Sequence, residues 1–231
     1  MQGSRELVLG LDTSGSTLLV VAQRDGKRVV RRRRGIKQER LLFPAVESAL
    51  AALNATLGDV KKICIIRGPG RFTGIRISLT FASMMAYLNQ TKIYGITLFE
   101  LLRRQVEASA KFIRWKQQHP QGKLGIVLHA FREEYFLQIF DHPAAAPAWL
   151  SREELLKRLA GYAHPLFLAG TDKDGADLSR VTGDQYVLAA PKDCRVIAQT
   201  LPDLTQDESL CAHALEPLYL KPARFELVNP Q

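Results

Sequence analysis

Two short stretches of the chain carry residue types that could bind a phosphate or a metal. The first ends the apolar run ELVLGLD, where Asp12 is followed by Thr13 and Ser14. A carboxylate at the end of an apolar strand is typical of groups that hold a metal-bound phosphate or position a water molecule. Asp and Ser also satisfy the backbone amides of turns routinely, and for Asp12 and Ser14 taken alone we favour this structural role.

The second stretch is RGPGRFTGIR, residues 67–76, which lies between the predicted strand KKICIIR and a long apolar segment. Its three glycines allow backbone angles that are closed to other residues, and Thr73 can cap the helix that follows. The free amides of a helix N-terminus can also receive an anion. However, no lysine follows Gly74 as the Walker pattern requires, and the glycine spacing misses the dinucleotide fingerprint by one residue. A generic phosphate loop is therefore only weakly indicated.

Cysteine and histidine spacing argues against a metal centre. Cys64, Cys194 and Cys211 are far apart and form no CxxC pair, and no histidine lies three to five residues from another. The 231-residue chain has no apolar stretch long enough to span a bilayer, and its N-terminus lacks the apolar region of a signal peptide. We expect a cytoplasmic protein with no metal and no membrane contact.

The formal net charge of +9 makes a polyanionic partner plausible. Seven basic residues fall between Arg28 and Arg40, including the run from Arg31 to Arg34. If the run continues a strand, it is typical of a charged edge strand that resists pairing with other sheets. An RNA contact is the alternative, and we favour the edge strand.

The predicted elements alternate between strands and helices. TLLVVAQRDGKRVVRRR indicates two strands joined at Asp25-Gly26, and apolar residues from Leu42 to Leu57 recur at helical spacing up to Gly58. Helices are predicted for Thr73–Leu88, for LFELLRRQVEASAKFIRWKQQ and after Ser151. The opening pattern restarts in KLGIVLHAFREEYFLQIFD, where His129 falls where Asp12 fell. This repeat predicts two related α/β lobes.

Four segments resemble the TsaB (YeaZ) family: LGLDTSGSTLLVVAQRDGK, ERLLFPAVESAL, IRGPGRFTGIRISLTFASMMAY and PLYLKP. The match is clear over roughly residues 6–103 and thin thereafter. The resemblance implies an α/β fold of the two-lobed actin/Hsp70/sugar-kinase (ribonuclease H-like) type, with a smaller, irregular second lobe. We expect lobes at 1–103 and 104–231, with the tail returning to the first lobe.

The resemblance also implies a function, the formation of threonylcarbamoyladenosine on tRNA. In that pathway the paralogous TsaD subunit carries the HxxxH metal site and the nucleotide, and TsaB-like chains activate it as non-catalytic dimer partners. A TsaE-like ATPase joins the complex, a TsaB-like chain alone forms a homodimer, and tRNA is contacted through the complex. No cofactor is expected in the isolated chain, and any ATP or ADP is expected at the subunit boundary.

Carried over by position, the family loop corresponds to Gly68, Pro69, Gly70, Phe72, Thr73, Gly74, Arg76 and Ile77. The helix after the loop is expected to present the partner interface through Ser78, Ala82, Met85, Ala86 and Asn89. An apolar stripe of Ile77, Phe81, Met84 and Leu88 is expected to fill the lobe. Asp12 and Thr13 would then be vestiges of a phosphate site, and no residue is predicted to be catalytic.

The chain departs from the family pattern at several positions. Arg71 stands where the family usually has Ser, Phe43 resembles an insertion, and His129 and Phe131 replace an Asp and an Arg of the second lobe. These losses weaken a catalytic role for that lobe. The rival hypothesis is an enzyme of the same superfamily, a metallopeptidase-like protein or an ATP-dependent phosphotransferase. The phosphotransferase would use Asp12 for the metal, the loop for phosphates and LAGTDKDGA (168–176) for adenosine.

Overall fold

The computed structural model describes residues 6–35, 37–141 and 145–221, and the chain divides into two compact units. The first unit ends at Leu98 and also includes Ile197–Tyr219. The second comprises Phe99–Val196 and resumes at Leu220. The start of the predicted loop HPAAAPAW and the end of the tail lie outside the described residues. Among the described residues, no helix is both long and apolar enough to cross a membrane.

The first unit is built on a six-stranded mixed sheet in the order β11-β5-β4-β1-β2-β3. Strand β1 pairs in parallel with β4, which pairs in parallel with β5, whereas β2, β3 and β11 run antiparallel to their neighbours. The strands are β1 (Leu7–Asp12), β2 (Thr17–Arg24), β3 (Lys27–Arg34), β4 (Val60–Ile66), β5 (Lys92–Ile96) and β11 (Cys211–Ala212). Buried aliphatic runs in β1 and β4 explain their central positions, because both faces of these strands are covered.

Helices cover both faces of this sheet. Helices α1 (Gln38–Ala51) and α2 (Phe72–Asn89) contribute buried side chains to one core with β1, β2 and β4. On the opposite face lies the short helix α7 (Thr200–Asp203), because Gly10 of β1 faces Leu201 while its neighbours Leu9 and Leu11 belong to the α1–α2 core. The loop that leads into α2 follows β4, so it starts at the carboxyl end of a central strand.

The second unit repeats the central part of the first. Its five-stranded sheet has the order β10-β9-β6-β7-β8, in which β6 pairs antiparallel with β7 and parallel with β9, as β1 does with β2 and β4. The predicted internal repeat and the α/β class are confirmed. The strands are β6 (Lys123–Phe131), β7 (Glu134–Phe140), β8 (Ala148–Ser151), β9 (Leu166–Thr171) and β10 (Val187–Leu188). The helices are α3 (Leu98–Glu107), α4 (Ala110–Gln118), α5 (Arg152–Ala160) and α6 (Ser179–Thr182).

Locally encoded features are confirmed. The predicted hairpin turns at Asp25 and Gly26, which both have positive φ, as a two-residue turn between twisted strands requires. The position of β3 at the sheet edge confirms that this basic run lies on an edge strand. Ser151 caps α5, since its hydroxyl accepts from the Glu154 amide while the Glu154 carboxylate accepts from the Ser151 amide.

Three predicted boundaries are wrong. Helix α1 ends at Ala51 rather than near Gly58, because Asn54 adopts a left-handed conformation that turns the chain. The single helix predicted after Leu98 is two helices, since Ser109 caps a new one by accepting from the Phe112 amide. Strand β6 extends beyond the apolar run that ends at Leu128; it continues through an irregular register between His129 and Phe131 to Phe131, where the hairpin turns.

Candidate functional site: the glycine loop and its helix

The glycine loop packs directly on the turn between β1 and β2. The Thr13 hydroxyl donates to the Gly74 carbonyl at 2.6 Å, and the Arg71 amide donates to the Ser14 carbonyl at 2.7 Å. Gln38 of α1 donates to the Gly15 carbonyl at 2.9 Å and holds the turn from the other side. In a phosphate-binding loop, amides at this position would face an anion. Here the Arg71 amide instead donates its hydrogen bond to a carbonyl of the chain itself.

Close backbone approach explains two glycines of the loop. A Cβ atom on Gly74 would lie 1.9 Å from the Thr13 carbonyl oxygen, a distance that no side chain can adopt. Gly68 has a φ of +120° and faces the Leu218 carbonyl, so both its conformation and its surroundings require glycine. The glycines therefore allow backbone segments to touch.

Backbone hydrogen bonds hold the rest of the loop. The Leu98 amide donates to the Gly68 carbonyl and the Leu218 amide to the Arg67 carbonyl, each at 2.7 Å. Pro69 is buried, whereas Gly70 is exposed and lies against Ser14. The loop is thus fixed by three separate parts of the first unit: the β1–β2 turn, the chain after β5, and residues 216–218.

Asp12 is engaged within its own turn. Its side chain is buried, and one carboxylate oxygen accepts from both the amide and the hydroxyl of Ser14, at 2.8 and 2.6 Å. Burial raises the pKa of Asp12 above its ordinary value of 3.8, against the lowering effect of these two hydrogen bonds. No group of three or more His, Cys, Asp or Glu side chains among the described residues could hold a metal ion. The arrangement fits a turn-stabilising carboxyl.

The start of α2 differs from the prediction at Thr73. The N-cap residue is Arg71, which makes no side-chain cap hydrogen bond, and Thr73 lies exposed in the first turn. The prediction that Thr73 caps this helix is therefore wrong, because the helix begins one residue earlier, at Phe72. Arg71 acts through its backbone amide, and its exposed side chain has no hydrogen-bonding or ionic partner among the residues that the structure describes.

Two loop residues join a cluster that the sequence did not reveal. The Phe72 ring packs on Tyr219 with centroids 4.7 Å apart, and the Arg76 guanidinium lies 4.0 Å from the Phe72 centroid. Arg76 also donates to the Tyr219 hydroxyl at 3.3 Å. Tyr219 belongs to PLYLKP, one of the segments that carry the family resemblance. That resemblance was the sole signal for Tyr219, since no spacing rule links residues so far apart in sequence.

The small-residue face of α2 points inward. Ser78, Ala82 and Met85 are buried, and Ala82 and Met85 belong to the core of the first unit. Ala86 is partly buried against that core, and Asn89 donates to the Leu57 carbonyl at 2.9 Å. The prediction that the first three side chains line an exposed interface is wrong. Small residues permit another element to pack closely against the helix, and in this structure that element is the sheet of the same unit.

The last turn of α2 exposes two large apolar side chains. Tyr87 is 88% exposed and Leu88 64%. Of the predicted stripe, Phe81 lies in the core and Ile77 and Met84 pack against it, so the prediction is wrong only for Leu88. On the neighbouring helix α1, Phe43 is 42% exposed and touches Phe81 edge-on at 5.4 Å. We call Phe43, Tyr87 and Leu88 the α1–α2 apolar surface. Exposed groups of this kind typically mark sites of protein contact.

The adenosine-site candidate of the second unit forms a small cavity of about 240 Å³. Residues of 168–176 line it at the end of β9, together with Asp177, Cys194 and Arg195. The Gly170 amide contacts the Cys194 sulfur at 3.2 Å, and burial raises the pKa of that thiol. Pockets for drug-sized ligands usually measure roughly 300–1,000 Å³. The cavity falls below this range, so it gives little support to a nucleotide site.

Comparison with known proteins gives matches to part of the chain. The family model described as TsaD, tRNA N6-adenosine threonylcarbamoyltransferase, matches residues 36–112. The TsaB protein of Bacillus subtilis (strain 168), described as a tRNA threonylcarbamoyladenosine biosynthesis protein, is 30% identical over 97 residues, 41% of this chain and 42% of that protein. TsaB of Buchnera aphidicola subsp. Schizaphis graminum is 28% identical over 102 residues, 43% of this chain and 48% of that protein. The matches thus span less than half of either relative.

Solved structures resemble nearly the whole chain. YeaZ from Pseudomonas aeruginosa superposes with a TM-score of 0.62 at 20% identity, covering 93% of this chain and 100% of YeaZ. A second Pseudomonas aeruginosa structure, of a protein with similarity to peptidase YeaZ, gives a TM-score of 0.63 at 20% identity and covers 94% of this chain and 100% of its own. These structures show the fold. The curated relatives and the family model show that part of this chain is similar to proteins of threonylcarbamoyladenosine biosynthesis.

Proposed function

We propose that this chain acts in the biosynthesis of threonylcarbamoyladenosine on tRNA, as a non-catalytic subunit that binds and activates a TsaD-like partner. The observation that carries the proposal is the α1–α2 apolar surface, where Phe43, Tyr87 and Leu88 are exposed on adjacent helices. The printed descriptions of the curated relatives supply the pathway. Such a role would place the chain in the cytoplasm, where tRNA is modified.

The closed glycine loop supports a non-catalytic role. Asp12 and the loop are the groups that a phosphotransferase of this fold would use, but Ser14 occupies one oxygen of the Asp12 carboxylate and the Ser14 carbonyl accepts from the Arg71 amide. A phosphate bound at the Arg71 amide would have to replace this hydrogen bond within the chain. We therefore assign these residues to the support of α2.

The apolar surface supports pairing through α1 and α2. Tyr87 and Leu88 are neighbours near the end of α2, so one partner can cover both, and aromatic side chains are favoured anchors at interfaces. We propose that a TsaD-like subunit covers this surface in the complex and that a second copy covers it when the chain is alone. A TsaE-like ATPase would join the complex, and any ATP or ADP would lie at its subunit boundary.

Association of purified proteins tests the proposal. We expect this chain and the TsaD-like subunit of the same organism to co-elute in size-exclusion chromatography as a one-to-one complex. The chain alone should elute at the mass of a dimer at high concentration, because the same surface is then covered by a second copy. Separate elution of the two subunits at micromolar concentration would contradict the proposal.

A further inference from the structure

The outermost strand of the first unit ends in a run of arginines. Strand β3 lies at the edge of the sheet, and β2 is its neighbour within the described part of the chain. Arg31 faces Val20 of β2, and the next three residues, Arg32, Arg33 and Arg34, complete the strand. We call these last three residues the arginine edge.

Two basic residues before the arginine edge, Arg28 and Arg31, have structural partners. Arg28 forms an ion pair with Asp203 at 2.9 Å, which ties β3 to α7. Arg31 donates from its Nε to the Ser48 hydroxyl at 2.9 Å and from its terminal nitrogen to the Ser48 carbonyl at 3.1 Å, which ties β3 to α1. These two cations are explained by the fold of the first unit.

The arginine edge itself is not explained in this way. Arg32, Arg33 and Arg34 are exposed, and none has an acidic partner within residues 6–35, 37–141 and 145–221. Lys37 and Arg40 follow closely in the chain and are also exposed without an acidic partner in those ranges. Residues 32–40 carry five cations against the single anion Glu39, so this stretch has a local net charge of +4 that attracts an anionic ligand.

Strand geometry spreads these charges around the edge. Because side chains alternate along a strand, Arg33 lies on the α1 face with Arg31, whereas Arg32 and Arg34 lie on the α7 face with Arg28. Arginines on the same face are separated by roughly 6.6 Å, twice the rise per residue of a strand. The edge thus presents guanidinium groups on both sides at regular intervals, which suits a chain of phosphates more than a single ion.

We propose that the arginine edge binds the phosphate backbone of RNA. The choice of RNA among polyanions rests on the proposed function, whereas the phosphate chemistry rests on the arginines themselves. A membrane surface is disfavoured, since none of the exposed large apolar side chains of the described residues lies on β3. Pairing with an apolar or basic strand is disfavoured because charges on both faces of an edge strand oppose strand addition.

Binding of an unmodified tRNA transcript to the isolated full chain tests the proposal. We expect the triple variant Arg32→Gln, Arg33→Gln, Arg34→Gln to bind at least about tenfold more weakly than the wild type at low salt. The slope of log K against log salt should fall by about 2–3, because each lost phosphate contact releases roughly 0.7–0.9 fewer counterions. The triple Arg→Lys variant should keep most of the affinity, since it retains the charge.

A matched variant separates a local site from net charge. Lys111→Gln, Arg114→Gln, Lys157→Gln removes the same charge from three exposed positions of the second unit and should bind tRNA like the wild type. The proposal would be overturned if both triple Gln variants lost the same affinity for tRNA, or if the β3 variant lost none. It would also be overturned if the chain bound phosphatidylglycerol vesicles through β3 but did not bind tRNA. Because no partner subunit is present, this result is independent of whether the chain pairs with TsaD.

Discussion

Replacing Gly74 with alanine should lower the free energy of unfolding by about 3 kcal/mol, near the upper end for overpacking of a tight site. The added Cβ would lie 1.9 Å from the Thr13 carbonyl oxygen, so either α2 or the β1–β2 turn must move. Movement would also break the hydrogen bond from the Thr13 hydroxyl to the Gly74 carbonyl. Alanine favours a helix over glycine by only about 1 kcal/mol, which does not offset this loss.

Gly15→Ala is the matched control for this variant. Gly15 lies in the turn that Gly74 contacts, but a Cβ at Gly15 would meet no atom within 4 Å, and its φ does not require glycine. We expect its stability to stay within about 0.5 kcal/mol of the wild type. Urea unfolding followed by circular dichroism measures both variants. Equal stability of Gly74→Ala and the wild type would show that the loop and the turn are not in contact as described.

The double variant Tyr87→Glu, Leu88→Glu should weaken binding to the TsaD-like subunit by about 100-fold or more, because it places two charges where the proposed interface excludes water. Both side chains are largely exposed in the single chain, so the substitution should leave the stability of the chain nearly unchanged. Isothermal titration calorimetry between the purified subunits measures the loss.

Ile113→Glu is the control for the double variant. Ile113 is 46% exposed on α4 of the second unit, so it matches the apolar-to-charged change away from the α1–α2 apolar surface. We expect it to bind the TsaD-like subunit like the wild type. If Ile113→Glu weakened binding as strongly as the double variant, the interface would not lie on α1 and α2.

Sequence reasoning succeeded where the structure is decided locally. The Asp25-Gly26 turn and the Ser151–Glu154 capping box depend on residues within a few positions of each other, and both were predicted. The repeat of strand pairing in the two units also follows from pattern, because apolar runs and turns recur in the same order. The loop was recognised as a strand-to-helix junction for the same reason.

The orientation of α2 could not be obtained in this way. Helical spacing separates a small-residue face from an apolar stripe, but it does not tell which of the two meets the sheet. The structure places Ala82 and Met85 inside together with Phe81 of the stripe and leaves Leu88 outside, so both sets contribute to the core. Two further features could not be predicted from the sequence, the contact of Tyr219 with Phe72 and the burial of Asp12. Both depend on tertiary packing or on parts of the chain that are distant in sequence.

The two departures at the loop and α1 have different explanations. Arg71 occupies a position where the backbone amide makes the required contact, so the change from Ser costs the fold little. Phe43, an apparent insertion relative to the family pattern, contacts Phe81 and adds to the exposed apolar surface. The first change is structurally neutral, whereas the second enlarges the surface that we propose for the partner.

Formation of threonylcarbamoyladenosine on tRNA by reconstituted subunits tests most directly whether this chain is a partner rather than a catalyst. We predict that the TsaD-like subunit with its substrates forms the product only when this chain is present, and that Asp12→Asn supports the reaction as well as the wild type. Tyr87→Glu, Leu88→Glu should abolish the stimulation. Product formation by this chain without the TsaD-like subunit, or loss of activity in a folded Asp12→Asn variant that still binds the partner, would contradict the account.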